Sequence, residues 1–102
     1  MGTVKITVVR GFSKEEIFGD DVPEELRDFE APCKTHYPGQ EYVIEGTECP
    51  EGFCTWAFRD IYRDIVHLTR GGDFPWVGKP GVMYPSCTDG RKTVVFKLER
   101  IE

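Results

Sequence analysis

One long helical pattern, over residues 53–69, constrains the fold of this chain most. Apolar residues recur there at steps of three and four, which is typical of a helix that buries one face; they are Cys54, Ala57, Phe58, Ile61, Ile65 and Leu68. Asp60, Asp64 and His67 fall on the opposite face, so we expect His67 to be solvent-exposed beside a carboxylate. The pattern predicts one principal helix that ends before Gly71.

The other regular segments have the pattern of strands. Residues 3–10, 41–45 and 93–101 are rich in β-branched and aromatic residues, and a short pattern of this kind covers 82–84. Strands therefore outnumber helices. We predict an α+β fold, a small antiparallel sheet with one principal helix packed on one face, in a single domain over 1–102.

Residues 13–31 form an acidic segment, which we interpret as an insertion. Its eight acidic and two basic residues give it a formal charge of −6, whereas the whole chain carries −5. Ser13 and Glu16 have the spacing of a capping box, and a second short helix is predicted over 23–29. We expect the acids to be solvated; a docking surface for a basic partner is the alternative, and the segment as a mobile loop is another.

Composition excludes several function classes. The net negative charge argues against a nucleic-acid binder, which needs a clustered basic surface. No apolar run approaches the roughly 18 residues of a membrane span, and residues 1–5 lack the pattern of a signal peptide. We therefore expect a cytoplasmic protein without membrane or nucleic-acid partners, whose partner is another protein. Oligomeric state stays open, because an exposed strand edge is able to pair two copies.

The main candidates for metal binding or catalysis in the sequence are four cysteines: Cys33, Cys49, Cys54 and Cys87. Disulfides are not expected in a reducing cytosol, so the main interpretation is buried thiols that act as small apolar groups. The Cys33-x-x-His36 spacing gives an alternative, a metal site in which Cys54 and Cys87 complete the ligands of a zinc ion. An iron–sulfur cluster held by the four cysteines, with Cys49 in place of His36, is a further alternative.

Cys54 is the residue we would assign to thiol chemistry, if the protein has any. It is predicted to lie in the first turn of the long helix, where the helix dipole favours a thiolate. Cys49 is its potential resolving partner, although no Cys-x-x-Cys motif is present. His36 is interpreted as a turn residue, with a metal ligand or an acid–base group as the alternatives.

Phe74 and Trp76 belong to the segment Gly71–Trp76, which lacks the Lys and Ser or Thr of a phosphate-binding loop. We expect Trp76 to close one edge of the core. The alternative is an exposed aromatic contact, with Phe74, for a partner.

Three motifs, PEGFC followed by WAF, then GGDFPW, then SCTDG, resemble a family of short uncharacterised bacterial and archaeal proteins with the pattern PEG-x-C…GG-x-FPW…C-x-D. The resemblance implies that Cys33, Cys54 and Cys87 act together, and it names no reaction. The chain departs from the family at the acidic segment, at Gln40 in place of an acid, and at the two residues, rather than three, between Cys33 and His36. Cys49 has no counterpart in the family. From residues and resemblance together we predict a small binding or accessory module with a cysteine-centred cluster; the metalloprotein and the thiol redox enzyme are the alternatives.

Overall fold

The computed structural model describes residues 2–102. In chain order the elements are strand β1 (Thr3–Gly11), helix α1 (Lys14–Phe18), a 3-10 turn (Glu24–Leu26), strand β2 (Glu41–Glu45), helix α2 (Thr55–Thr69), a second 3-10 turn (Pro75–Val77), strand β3 (Val82–Met83) and strand β4 (Val94–Arg100). This architecture confirms the predicted α+β fold.

The four strands form one antiparallel sheet in the order β2-β1-β4-β3. The central strand β1 aligns Ile6 with Tyr42 of β2 on one side and with Leu98 of β4 on the other. Because side chains alternate along a strand, this register directs one apolar row from each of these strands to the same face. The register of β1 against β4 shifts between Val8 and Arg10, where the strand carries a bulge.

Helix α2 packs against that face and completes the core. The most buried apolar residues of the sheet and the helix are in contact in one cluster, which includes Val4, Ile6, Val8, Ile61, Ile65, Leu68, Phe96 and Leu98. The helix begins two residues later than predicted, at Thr55. The prediction that Asp64 lies on the exposed polar face of the helix is wrong. Asp64 is only 5% exposed and forms an ion pair with Arg63 at 3.5 Å.

The acidic segment lies at the end of β1. The capping box is present, since the Ser13 hydroxyl accepts the Glu16 N–H and the Glu16 side chain accepts the Ser13 N–H. The predicted helix over 23–29 is wrong in extent, because the chain forms only the 3-10 turn there. All eight acids of the segment are exposed, as predicted for a solvated face. Its origin as an insertion stays a prediction.

Over residues 2–102, no helix has the length and apolar character needed to cross a membrane.

Candidate functional site

A cavity of about 500 Å³ lies at the N-terminal end of α2. Three separate segments line it: the loop before β2, the start of α2, and the loop before β4. We call it the thiol pocket, because Cys33, Cys54 and Cys87 each line it from a different segment. Direct contact between the three sulfur atoms, as a cluster, stays a prediction.

Cys54 is the N-cap residue of α2, one position outside the predicted first turn. Its backbone is extended, with φ −62° and ψ 120°, and its side chain makes no capping hydrogen bond. The carbonyl of Cys54 accepts the Phe58 N–H and so begins the helical ladder. Cys54 therefore occupies a position where Ser, Thr, Asp or Asn would stabilise the helix, but it supplies a thiol to the cavity instead.

His36 is a buried polar residue with a structural role. Its ring is 2% exposed and packs against Phe53, with the ring centroids 4.5 Å apart. Nε2 accepts the Cys54 N–H at 3.2 Å, so Nδ1 carries the proton and donates to Oε1 of Gln40 at 3.0 Å. The interpretation of His36 as a simple turn residue is therefore wrong: it connects the loop before β2 to the start of α2.

The other cysteines differ in environment. Cys87 is buried, and its sulfur accepts the Val94 N–H at 3.3 Å. Cys33 is partly buried against the core. Cys49 does not line the thiol pocket; its thiol donates to the Phe53 carbonyl at 3.7 Å, and burial, followed by the nearby Cys54, raises the pKa of Cys49. A raised pKa lowers the reactivity of a thiol, so Cys49 is poorly suited to attack.

The predicted metal ligands share the thiol pocket but do not form a ready site. Among residues 2–102, no three His, Cys, Asp or Glu side chains are arranged to hold a metal ion. Both ring nitrogens of His36 are already engaged, by Gln40 and by the Cys54 N–H. A zinc or iron–sulfur centre at Cys33, His36, Cys54 and Cys87 would require these side chains to move.

Charged residues line the side of the pocket formed by the loop before β4. Arg91 makes a two-point ion pair with Asp89, Nε to Oδ1 at 2.9 Å and Nη2 to Oδ2 at 2.8 Å. This pair lowers the pKa of Asp89 and raises that of Arg91. Lys92 also lines the pocket, and within the described chain no carboxylate lies within ion-pair distance of its ammonium. The loop is attached to α2 by Asp60, whose carboxylate accepts the Thr88 N–H at 2.8 Å.

Phe74 and Trp76, at the opposite end of α2, differ in burial. Phe74 is buried, whereas Trp76 is 75% exposed, so the expectation that Trp76 closes the core is wrong. The exposed side chain of His67 packs on Phe74 and hydrogen-bonds the Asp73 carbonyl at 2.9 Å. Neither aromatic residue lines the thiol pocket.

Sequence reasoning missed Trp56, Arg91 and Lys92 as pocket residues. Trp56 lies outside the apolar stripe of α2 and is 68% exposed at the pocket. The signals that were available are a large aromatic residue on the polar side of a helix start, and two adjacent cations after the Asp-Gly turn.

Comparison with known proteins adds no relative: no family model, curated protein or solved structure matches the chain. The resemblance to short bacterial and archaeal proteins stays a prediction.

Proposed function

We propose that this protein is a cytoplasmic binding module that holds a small molecule in the thiol pocket. The cavity itself carries the proposal. Its volume of about 500 Å³ lies within the range of roughly 300 to 1,000 Å³ that is typical of small-molecule sites. Its lining combines apolar groups, such as Ala57, Val94 and Phe96, with a small number of polar ones, which is the usual composition of such sites.

The three pocket thiols suit a binding role. Thiol sulfur is polarizable and makes favourable contacts with apolar and aromatic groups. Cys33, Cys54 and Cys87 come from three segments, so only the folded chain presents them together. We propose that they act as a cysteine-centred contact surface for the ligand.

The two alternatives have less support. A zinc centre needs ligand atoms within about 2.3 Å of one ion, and residues 2–102 offer no such group as they stand. A thiol enzyme would need a base for Cys54, but Nε2 of His36 is occupied by the Cys54 N–H. A rise in Tm on adding zinc that Cys33→Ala abolishes would favour the metalloprotein instead.

The two tryptophans allow a direct test with phenylacetamide, a neutral aromatic probe. In Trp76→Ala the remaining Trp56 reports from the pocket, and in the matched Trp56→Ala the remaining Trp76 reports from the other end of α2. Both side chains are mostly exposed, so we expect both variants to fold. We expect a saturable change of fluorescence in Trp76→Ala only.

Amide chemical shifts provide the second readout. We expect phenylacetamide to shift the amides of Cys54, Ala57 and Gly90, which line the pocket, and to leave Gly72 and Val82 unchanged. Equal responses from the two single-tryptophan variants, or shifts scattered over both ends of α2, would contradict the proposal.

A further inference from the structure

The thiol pocket has the opposite charge to the rest of the protein. Two cations, Arg91 and Lys92, and one carboxylate, Asp89, leave one formal positive charge in its lining, whereas the chain as a whole carries −5. A cleft lined by one sign of charge attracts ligands of the other sign. The formal charge of the lining thus favours an anion over a cation in the pocket.

Lys92 is the cation that is available to a ligand. Arg91 already gives two hydrogen bonds to Asp89 and stacks over the Phe29 ring, 4.4 Å from its centroid. The Lys92 ammonium lies 5.6 Å from the same centroid, and no carboxylate of the described residues forms an ion pair with it. An ammonium on a flexible stem is able to turn toward an anion in the cavity.

The start of α2 adds to this preference. Cys54, Trp56 and Ala57 line the pocket, so the first turn of a 15-residue helix borders the cavity. In the part of the chain that the structure describes, no side chain accepts the N–H groups of Thr55, Trp56 or Ala57. Free N–H groups and the helix dipole both favour negative charge at this end.

The remainder of the lining is suited to an apolar body. Ala57, Val94 and Phe96 form its buried wall, and the exposed indole of Trp56 lies at its edge. We infer that the ligand of the thiol pocket is a small organic carboxylate with an aromatic or apolar body, its carboxylate bound by Lys92 and the free N–H groups of α2. This inference rests on the proposed function and specifies its ligand class.

A matched pair of probes isolates the charge. Phenylacetate and phenylacetamide have the same ring and nearly the same shape, but only the first is an anion at neutral pH. In Trp76→Ala, titrated through Trp56 fluorescence, we expect phenylacetate to bind about threefold more tightly than phenylacetamide, which is the size of effect that one exposed ion pair produces. Added salt should weaken the binding of phenylacetate and leave the binding of phenylacetamide nearly unchanged.

Two variants, made in the same background, identify the groups responsible. Lys92→Met should remove most of the preference for phenylacetate, whereas Lys79→Met, which makes the same charge change at an exposed site outside the pocket, should keep it. Thr55→Pro removes one N–H at the first helical position, where proline is well tolerated. Thr55→Pro should weaken the binding of phenylacetate but not of phenylacetamide. Thr55→Ala should weaken the binding of neither probe.

The outcomes separate the two proposals. Equal affinity for the two probes, with shifts confined to the pocket amides, would overturn the carboxylate inference and leave the binding module in place. A preference for phenylacetate that survives Lys92→Met and Thr55→Pro would also overturn it. Binding of neither probe would reject the proposed function and the inference together.

Discussion

The two ends of α2 differ in how fully their polar groups are paired. At the C-terminal end, Arg100 donates from Nη1 to the Leu68 and Gly72 carbonyls at 3.1 and 2.7 Å, and from Nη2 to Asp73 at 2.8 Å. Asp73 in turn accepts the Gly81 N–H at 2.8 Å. At the N-terminal end a cavity of about 500 Å³ borders a helix without a side-chain cap.

This difference suggests that one end of α2 contributes mainly to the stability of the fold and the other to binding. Strand β4 serves both ends, because Val94 at its start lines the thiol pocket and Arg100 at its end contacts the last turn of α2. Groups that are already paired stabilise the fold, whereas a ligand needs groups whose hydrogen bonds are still available. The paired groups at the C-terminal end hold α2 on the sheet. At the N-terminal end we propose that the unpaired N–H groups are available to a ligand.

The largest effect should come from Arg100→Met. The substitution keeps much of the apolar stem but leaves the two carbonyls and Asp73 without their charged donor. Since hydrogen bonds to charged groups contribute about 1.5–3 kcal/mol, we expect the free energy of unfolding to fall by about 2–3 kcal/mol. Urea unfolding followed by circular dichroism measures this change.

Arg70→Met is the matched control, because Arg70 follows the same end of α2 but is exposed. It should change the free energy of unfolding by no more than about 0.5 kcal/mol. A similar loss in both variants would mean that net charge, rather than the Arg100 hydrogen bonds, stabilises this end.

A smaller effect of opposite sign is expected at the N-terminal end from Cys54→Ser. Serine is a good N-cap residue, and the extended backbone of Cys54 is the conformation that a cap needs. We expect the variant to be more stable by about 0.5–1 kcal/mol in urea unfolding, although it loses a thiol. The serine oxygen should also compete with phenylacetate for the free N–H groups and weaken its binding.

Cys33→Ser is the control for this substitution, because it makes the same atomic change in the pocket away from the helix end. It should not stabilise the protein. If Cys54→Ser destabilises the protein by more than about 1 kcal/mol, packing of the thiol outweighs capping, and the N-terminal end of α2 is held by its packing as the C-terminal end is by hydrogen bonds.

The local sequence pattern predicted the helices and strands well, but it predicted the lining of the thiol pocket poorly. The period of the apolar residues located α2, and the alternation in residues 3–10 located β1, because both signals come from neighbours in the sequence. The capping box at Ser13 was predicted for the same reason. Such signals determine which face of an element is buried, which was enough to predict the fold.

The lining of the pocket depends on contacts between distant residues. The loop of Cys33 is fixed by the hydrogen bond from the Cys54 N–H to His36, and the loop of Cys87 by that from the Thr88 N–H to Asp60. Neither bond has a local sequence signature. The two cations after the Asp-Gly turn are visible in the sequence, but their position at the cavity depends on these long-range bonds.

The smallest effect we expect is a difference in pH dependence between the two ends. The hydrogen bond from Arg100, followed by the Gly81 N–H, lowers the pKa of Asp73 below its usual value of 3.8. The unfolded chain therefore binds this proton at a higher pH than the folded protein does. The resulting stabilisation is complete above the usual pKa and is lost as the pH falls through the lowered one.

Asp73→Asn should consequently lower stability at pH 7 and lose less than the wild type between pH 5 and pH 2 in urea midpoints. Arg91 lowers the pKa of Asp89 in the same way, so Asp89→Asn should change the stability and its pH dependence in the same direction. Only Asp89→Asn should also affect binding: it releases Arg91 and removes the one negative charge of the pocket lining, so phenylacetate should bind more tightly while the affinity for phenylacetamide is unchanged. If Asp73→Asn strengthens phenylacetate equally, the two ends are not independent, because a charge at one would then act on the ligand at the other.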